Sequence, residues 1–181
     1  GLMGGPAQAE KRLDTFVDMP LLLTDPAKAA KDSWVHGAYD YHNNFAFNPN
    51  NEPDLHAPWM YSWTGAPWKT SAVLRAARTL FTDTPYGMPG NDDLGTISSW
   101  LVFGMAGVFE AQPGSGTYLL STPMFEKVEI RPTGGRKIEI EAPGASAAKL
   151  QYTSDVRIGH RGYDRSWISH ADLLRAGKIQ F

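Results

Sequence analysis

Apolar residues recur at helical spacing through the first part of the chain. The clearest pattern predicts a helix over 67–81, where Pro67 fits the first turn and a buried stripe includes Val73 and Ala77. A second helix is predicted over 96–108, which is apolar nearly all round and is therefore expected to be buried. Weaker patterns predict three more helices, over 6–17, 27–34 and 58–63.

The pattern changes to a period of two after residue 111. Strands are predicted over 127–131 and 137–141, where apolar and polar residues alternate, and Thr133-Gly134-Gly135 fits a hairpin turn between them. Shorter patterns predict further strands over 118–121, 151–158 and 179–181, and a short helix from Ser169 to Ala176.

Helices that come first and strands that follow indicate an α+β chain. We expect a helical segment over 1–111 and an antiparallel β-rich region over 112–181. The stretch 37–51, rich in Asn, Tyr and Phe without a clear period, is expected to be a long loop between helices.

Composition narrows the classes of function. The net charge of −2 gives no electrostatic argument for binding to nucleic acid or to an anionic membrane. The absence of cysteine excludes disulfides, thiol catalysis and cysteine-based zinc sites. The longest apolar run, 100–109, is far shorter than the roughly 20 residues of a membrane-spanning helix. Because the chain begins with Gly1 and shows no signal peptide, we expect it to be a piece of a longer protein.

Candidate chemistry lies in two short acidic segments. Asn51-Glu52-Pro53-Asp54-Leu55-His56 and Gly90-Asn91-Asp92-Asp93-Leu94-Gly95 each place carboxylates in a turn or at the entry to a helix. Aromatic-rich runs follow both segments, over 59–63 and 100–109, in a chain with six tryptophans. Carboxylates beside aromatic side chains suit calcium binding, activation of a water molecule and stacking against a sugar ring.

Each candidate also has a simpler structural interpretation. Asp92 and Asp93 would favour the N-terminus of the helix that begins near Thr96, and Asn51 and Glu52 would fit a turn that opens a helix. His56 would share a face with Glu52 on a regular α-helix, although the neighbouring prolines make that geometry uncertain. The irregular spacing of the histidines does not support a zinc site, and Ser98 has no nearby partners for a serine triad.

Four ordered landmarks resemble glycoside hydrolase family 92, the calcium-dependent α-mannosidases. They are Leu2-Met3-Gly4-Gly5 followed by Leu13-Asp14-Thr15-Phe16; Asn51-Glu52-Pro53-Asp54 with His56 and Pro58-Trp59; Gly65 with Pro67-Trp68-Lys69-Thr70; and Gly87-Met88-Pro89-Gly90-Asn91-Asp92-Asp93 with Gly95, Ser98 and Trp100. The last is the most specific of the four. Together they cover nearly the whole chain in the expected order.

The resemblance implies that the helices form part of an (α/α)6 catalytic barrel in an inverting exo-α-mannosidase. Asp93 is then expected to be the catalytic base, with Asp92 as the weaker alternative, and Asn51, Glu52 and Asp93 are expected to ligate calcium. We expect Asn91, His56 and Trp59 to contact the sugar, although Asn91 stands where some members carry another aspartate.

The resemblance also implies what lies outside the chain. The general acid belongs to a segment before Leu2, and a β-sandwich with the rest of the barrel completes the sugar pocket. The expected partners are that remainder of the enzyme and mannose-rich glycans, such as N-glycans or mannan, with α-1,2 linkages favoured. The expected location is secreted, periplasmic or at the cell surface.

Two other functions stay open at this point. The chain could belong to a non-catalytic carbohydrate-binding or structural module, in which case sugar or calcium binding would persist without hydrolysis. It could also belong to another clan of (α/α)6 glycosidases or phosphorylases, although no basic cluster suited to phosphate is present.

Overall fold

The computed structural model describes residues 4–37, 44–110 and 112–181. They form two compact units that divide between Val102 and Phe103. The two expected segments, 1–111 and 112–181, stay a prediction. Within the described residues, no helix is both long enough and apolar enough to cross a membrane.

The first unit is helical. Its elements are α1 (Pro6–Val17), α2 (Met19–Thr24), α3 (Pro26–Lys28), a π-helical turn (Ala29–Ser33), a 3₁₀ helix (Glu52–Trp63), α4 (Trp68–Arg78) and the start of α5 (Thr96–Ala106). The predicted helix over 6–17 is confirmed with the same bounds, and those over 67–81 and 96–108 are confirmed with shorter ends. The predicted loop over 37–51 lies partly outside the described residues, and 44–51 contain no helix or strand.

The 3₁₀ helix is longer than the predicted helix over 58–63 and begins six residues earlier, at Glu52. Pro53 lies in the first turn, where an α-helix tolerates proline, but Pro58 lies inside the helix, where its ring would clash with the carbonyl of the preceding α-helical turn. The segment has three residues per turn instead. Residues three apart therefore lie above one another. Leu55, Pro58 and Tyr61 form one buried row of the helix, and Trp59 on the neighbouring row is also buried.

The core of the first unit is rich in aromatic rings. Trp59, Tyr61, Phe47 and Trp100 are among its largest fully buried side chains. The indole N–H of Trp34 donates to the carbonyl of Val17 at 2.9 Å, and its ring meets that of Phe47 edge to face at 4.8 Å. These contacts pack the residues just before the 3₁₀ helix against the end of α1.

Helix α5 corrects one expectation. Ile97 and Trp100 are buried, but Val102 is 64% exposed and Phe103 is 44% exposed. The expectation that this helix is buried all round is therefore wrong for the described chain. The apolar residues of this helix therefore include exposed side chains as well as buried ones.

The described residues of the second unit contain the end of α5, two sheets and one further short helix. The smaller sheet has the order β1-β2-β7 and is antiparallel; its strands are β1 (Val108–Phe109), β2 (Thr117–Leu120) and β7 (Trp167–Ser169). The larger sheet has the order β3-β4-β8-β5-β6, with strands β3 (Lys127–Ile130), β4 (Ile138–Glu141), β5 (Arg157–Ile158), β6 (Arg161–Gly162) and β8 (Lys178–Gln180). The α+β class is confirmed.

Details of the second unit follow the sequence closely, with two exceptions. β3 and β4 pair as the predicted hairpin, and Ser169 caps α6 (His170–Ala176) by accepting the Asp172 amide at 3.1 Å. The strand predicted over 151–158 is reduced to β5, and the β4–β8 pair is parallel rather than antiparallel. Isoleucine is the most frequent residue of the buried core of this unit, with Ile138, Ile140, Ile168 and Ile179.

Candidate active site

Asn51 and Glu52 lie where a tight turn leads into the 3₁₀ helix. The amide of Asn51 donates to the carbonyl of Asn48 at 3.2 Å, and the Asp54 amide donates to the Asn51 carbonyl at 3.0 Å. The Asp54 carboxylate closes the turn by accepting the Asn48 amide at 3.1 Å. Burial raises the pKa of Asp54 despite that hydrogen bond. Asp54 therefore has a structural role here, while Asn51 and Glu52 remain half-buried at the helix start.

Asp92 is held at the N-terminus of α5. Its carboxylate accepts the Ser98 amide at 2.8 Å and the Ser98 hydroxyl at 3.0 Å, while its carbonyl accepts the Thr96 amide at 2.7 Å. These are the contacts of a helix-capping carboxylate. Asp92 therefore has the helix-capping role that the simpler structural interpretation of the acidic loop predicted.

Asp93 is placed differently from its neighbour. Its side chain is exposed, and its backbone has a φ of 45°, followed by Leu94 at 59° and Gly95 at 90°. Non-glycine residues rarely adopt this left-handed region, and such strain tends to concentrate at functional sites. The Thr96 hydroxyl holds the Asp93 carbonyl at 2.7 Å, so the backbone is fixed while the carboxylate faces solvent.

The structure brings the two acidic segments together. A Cβ atom on Gly90 would lie 2.7 Å from the Cβ of Asn50, so the glycine lies directly against the residue that precedes Asn51. Farther along, the buried indole N–H of Trp100 donates to the carbonyl of Leu55 at 2.8 Å. The loop with Asp92 and Asp93 and the turn with Asn51 and Glu52 are therefore neighbours, although about 40 residues separate them in sequence.

The donor atoms at this junction suit a hard cation. Carboxylate and amide oxygens are the ligands that calcium prefers. The Oδ1 atom of Asn50 is buried and has no hydrogen-bond partner within the described residues, although its amide nitrogen donates to the His36 carbonyl. No group of three or more His, Asp or Glu side chains that could hold a metal occurs in the described part of the chain. Any cation here would therefore need amide, carbonyl or water oxygens as well as carboxylates.

The three proposed sugar contacts have different surroundings. Asn91 is exposed beside the acidic loop, and His56 is partly exposed. Because three residues complete a turn of the 3₁₀ helix, His56 does not share a face with Glu52 and lies above Trp59 instead. Trp59 is fully buried, which favours a core role, and its contact with sugar stays a prediction.

Two other tryptophans are more exposed than Trp59, which the sequence favoured as the aromatic contact because it lies nearest a proposed ligand segment. Trp63, at the end of the 3₁₀ helix, is 55% exposed, and Trp68, at the start of α4, is 40% exposed. Unlike Trp59, both side chains have exposed area on which a sugar could stack, and the ammonium of Lys69 lies 5.6 Å from the centroid of the Trp68 ring. Trp59 and Trp63 are four residues apart, so they would share a face on an α-helix but do not on the 3₁₀ helix, and the internal Pro58 was the available signal.

A shallow pocket of about 220 Å³ lies on another side of the 3₁₀ helix. Its lining residues are Arg12, Leu13, Phe16, Phe45, Asp54 and Ala57. The guanidinium of Arg12 stacks over the ring of Phe45 at 4.6 Å. The pocket includes none of the predicted site residues.

Comparison with known proteins gives a consistent result. The model of the glycosyl hydrolase family 92 catalytic domain matches residues 1–181. A protein of Arthroderma benhamiae, named an uncharacterized secreted glycosidase, is 32% identical over 148 residues, which are 78% of this chain.

Solved structures agree with the sequence matches. A family GH92 α-mannosidase from Bacteroides thetaiotaomicron in complex with mannoimidazole matches 75% of this chain with 28% identity and a TM-score of 0.67. A family GH92 inverting mannosidase from the same organism matches 99% of the chain with 25% identity and a TM-score of 0.76. The chain spans 19% of the length of the Arthroderma protein and 18% and 24% of the two structures.

Proposed function

The chain belongs to glycosyl hydrolase family 92, and we propose that it contributes the base and metal side of a calcium-dependent, inverting exo-α-mannosidase. The observation that carries the proposal is the junction of the two acidic segments, where Gly90 lies against Asn50. This contact places the Asp92–Asp93 loop beside Asn51 and Glu52. The inverting mannosidase among the similar structures supports the same mechanism.

Asp93 is the proposed general base. Its carboxylate is exposed on a fixed backbone, so it can accept a proton from a water molecule without first breaking a hydrogen bond within the described chain. The water oxygen then attacks the anomeric carbon, and the bond to the leaving oxygen breaks. A carboxylic acid outside this chain gives its proton to that oxygen, and in inverting enzymes the two carboxyl groups stand roughly 6.5–9.5 Å apart.

Asn51, Glu52 and Asp93 are the residues that would hold calcium. Bound calcium would supply positive charge that orients the sugar hydroxyls and favours a distorted ring. The Oδ1 atom of Asn50, which is buried and has no hydrogen-bond partner in the described part of the chain, supports an oxygen-rich environment next to these ligands. Asn91 and His56 are the proposed hydrogen-bonding contacts to the sugar, and Trp59 is the proposed aromatic contact, for which Trp63 offers the more exposed ring.

The proposed substrates are mannose-rich glycans, with terminal α-1,2-linked mannose as the first candidate. The mannoimidazole complex of a related α-mannosidase supports a mannose-type ligand. We propose that the enzyme acts outside the cytoplasm on N-glycans or mannan, and the name of the Arthroderma relative supports secretion.

The test is mannose release from α-1,2-mannobiose by the complete enzyme, with calcium and with a chelator. Proton NMR of the first product distinguishes the stereochemistry: an inverting enzyme releases β-mannose from an α-linked substrate. Calcium-dependent release of β-mannose supports the proposal. Release of α-mannose contradicts the inverting mechanism, and release that is unaffected by the chelator contradicts the role of calcium.

A second candidate function is carbohydrate binding without catalysis. The exposed rings of Trp63 and Trp68 favour it, because exposed tryptophan is a common platform for sugars. This alternative predicts that calorimetry detects binding of mannobiose by the complete protein while no mannose is released. Turnover by the wild-type protein excludes it.

A further inference from the structure

A buried tryptophan in α5, the helix that follows the second acidic segment, is hydrogen-bonded to the 3₁₀ helix that begins in the first acidic segment. The indole N–H of Trp100 donates to the backbone carbonyl of Leu55 at 2.8 Å, and the Trp100 side chain is almost fully buried. Trp100 lies in α5, directly after the Asp92–Asp93 loop, whereas Leu55 is the fourth residue of the helix that begins at Glu52. One hydrogen bond therefore connects the two elements that present the proposed base and the proposed metal ligands.

A second contact fixes the other end of the same junction. Gly90 has a φ of 63°, and a Cβ atom there would lie 2.7 Å from the Cβ and 3.2 Å from the carbonyl oxygen of Asn50. No side chain fits between the two segments at this point. Gly90 and Trp100 therefore flank the Asp92–Asp93 loop and hold it against the turn on both sides.

We propose that Trp100 is a positioning residue, which sets the distance between the Asp93 carboxylate and the Asn51–Glu52 turn. This inference rests on the proposed function for its effect on catalysis, but the contact itself can be tested without activity. A buried N–H to carbonyl bond between α5 and the 3₁₀ helix restrains how the two helices can shift relative to one another. Displacement of a reacting group by about 1 Å is enough to lower a rate by a hundredfold.

The chain provides a matched control. Trp34 is also buried, and its indole N–H also donates to a backbone carbonyl, that of Val17, at 2.9 Å. That hydrogen bond joins segments that contain neither proposed base nor proposed metal ligand, and the Trp34→Phe substitution keeps an aromatic ring to pack against Phe47. Trp34→Phe and Trp100→Phe therefore remove the same type of bond and the same part of a ring, and a merely structural role predicts similar effects for both.

The experiment compares these two variants in the complete enzyme. We expect Trp100→Phe to lower kcat by about tenfold or more, with a small change in KM, and Trp34→Phe to leave kcat within about twofold of the wild type. Hydrogen–deuterium exchange in the peptide that spans 50–58 should be faster in Trp100→Phe than in Trp34→Phe. Equal kcat values, or equal exchange in this peptide, would overturn the proposal.

A pair of glycine variants keeps the test decisive if Trp100→Phe does not fold. Gly90→Ala introduces a Cβ that clashes with Asn50, whereas Gly134→Ala introduces one at a similar φ of 70° with no atom within 4 Å. The backbone strain is comparable, so loss of kcat and faster exchange over 50–58 in Gly90→Ala alone support the inference. If the wild-type enzyme releases no mannose, the proposed function fails, and the exchange comparison still decides whether the two segments are held together by these contacts.

Discussion

The ammonium group of Lys69 lies 2.7 Å from Oδ2 and 2.9 Å from Oδ1 of Asp14. Lys69 also donates to Glu10 at 2.6 Å, and the hydroxyl of Tyr61 donates to Asp14 at 2.9 Å. These four side chains come from α1, the 3₁₀ helix and α4, and Lys69 is buried among them. The network therefore fixes the helix that begins at Glu52 against two others.

Loss of the lysine should destabilise the first unit strongly. Lys69→Met leaves two carboxylates without their cation in a partly buried position, and breaking such a pair costs about 3 kcal/mol in the free energy of unfolding. Urea unfolding of the variant measures the change. The matched control is Lys28→Met, because Lys28 pairs with Asp32 on the exposed surface and its removal should leave the unfolding midpoint almost unchanged. Similar midpoints for the two variants would show that the Lys69 network contributes little.

Substitution of the two aspartates of the acidic loop should have different effects, on turnover for Asp93 and on stability for Asp92. Asp93→Asn is expected to abolish turnover in the complete enzyme and to leave the melting temperature close to that of the wild type, because its carboxylate faces solvent. Asp92→Ala is expected to lower stability by about 1 kcal/mol, since it removes the acceptor for the Ser98 amide. Activity assays and thermal melts of both variants check this. Near-normal turnover in Asp93→Asn would remove it from the role of base.

Calcium affinity should depend on the start of the 3₁₀ helix. Glu52→Gln removes the negative charge of one proposed ligand while keeping its shape, and calorimetry of the complete enzyme should show weaker calcium binding. Glu129→Gln, in the other unit, serves as the control and should bind calcium as the wild type does. An unchanged affinity in Glu52→Gln would exclude this carboxylate from the metal site.

The charged surface of the β3–β4 hairpin should give a pH-dependent stability. Hydrogen bonds from Arg131 and Lys137 lower the pKa of Glu129 to about 2, well below its ordinary value of 4.5. The carboxylate therefore stabilises the fold above pH 4.5, and this contribution is lost as the pH falls towards 2. Thermal melts should show a smaller loss of stability over this range in Glu129→Gln than in the wild type. Parallel curves for the two proteins would contradict the prediction.

Local signals in the sequence predicted the elements of regular spacing. The bounds of α1, the pairing of β3 with β4 and the cap at Ser169 follow from proline placement, period-two alternation and hydroxyl chemistry, which act over a few residues. The ordered landmarks likewise indicated the family. The sequence also identified the two segments that contain the site residues, because each places carboxylates in a turn beside Gly, Pro and Asn. The roles of the individual residues remain predictions.

Long-range packing decided the rest. Sequence spacing could not show that Asp92 caps α5 while Asp93 faces solvent, because both precede the same helix and only the backbone turn separates them. Trp59 is buried and Trp63 is exposed because they lie on different faces of a 3₁₀ helix, and the internal Pro58 disfavours an α-helix without fixing which face packs inward. The parallel pairing of β4 with β8 joins residues far apart in the chain.

The sequence by itself determined the helices and strands with strong periodicity, the α+β order and the two segments that contain the candidate chemistry, because these depend on neighbouring residues. Only the tertiary structure decided that Gly90 meets Asn50 and that Trp100 reaches Leu55. Such contacts join segments about 40 residues apart, and they depend on how whole helices pack rather than on any local preference of the chain.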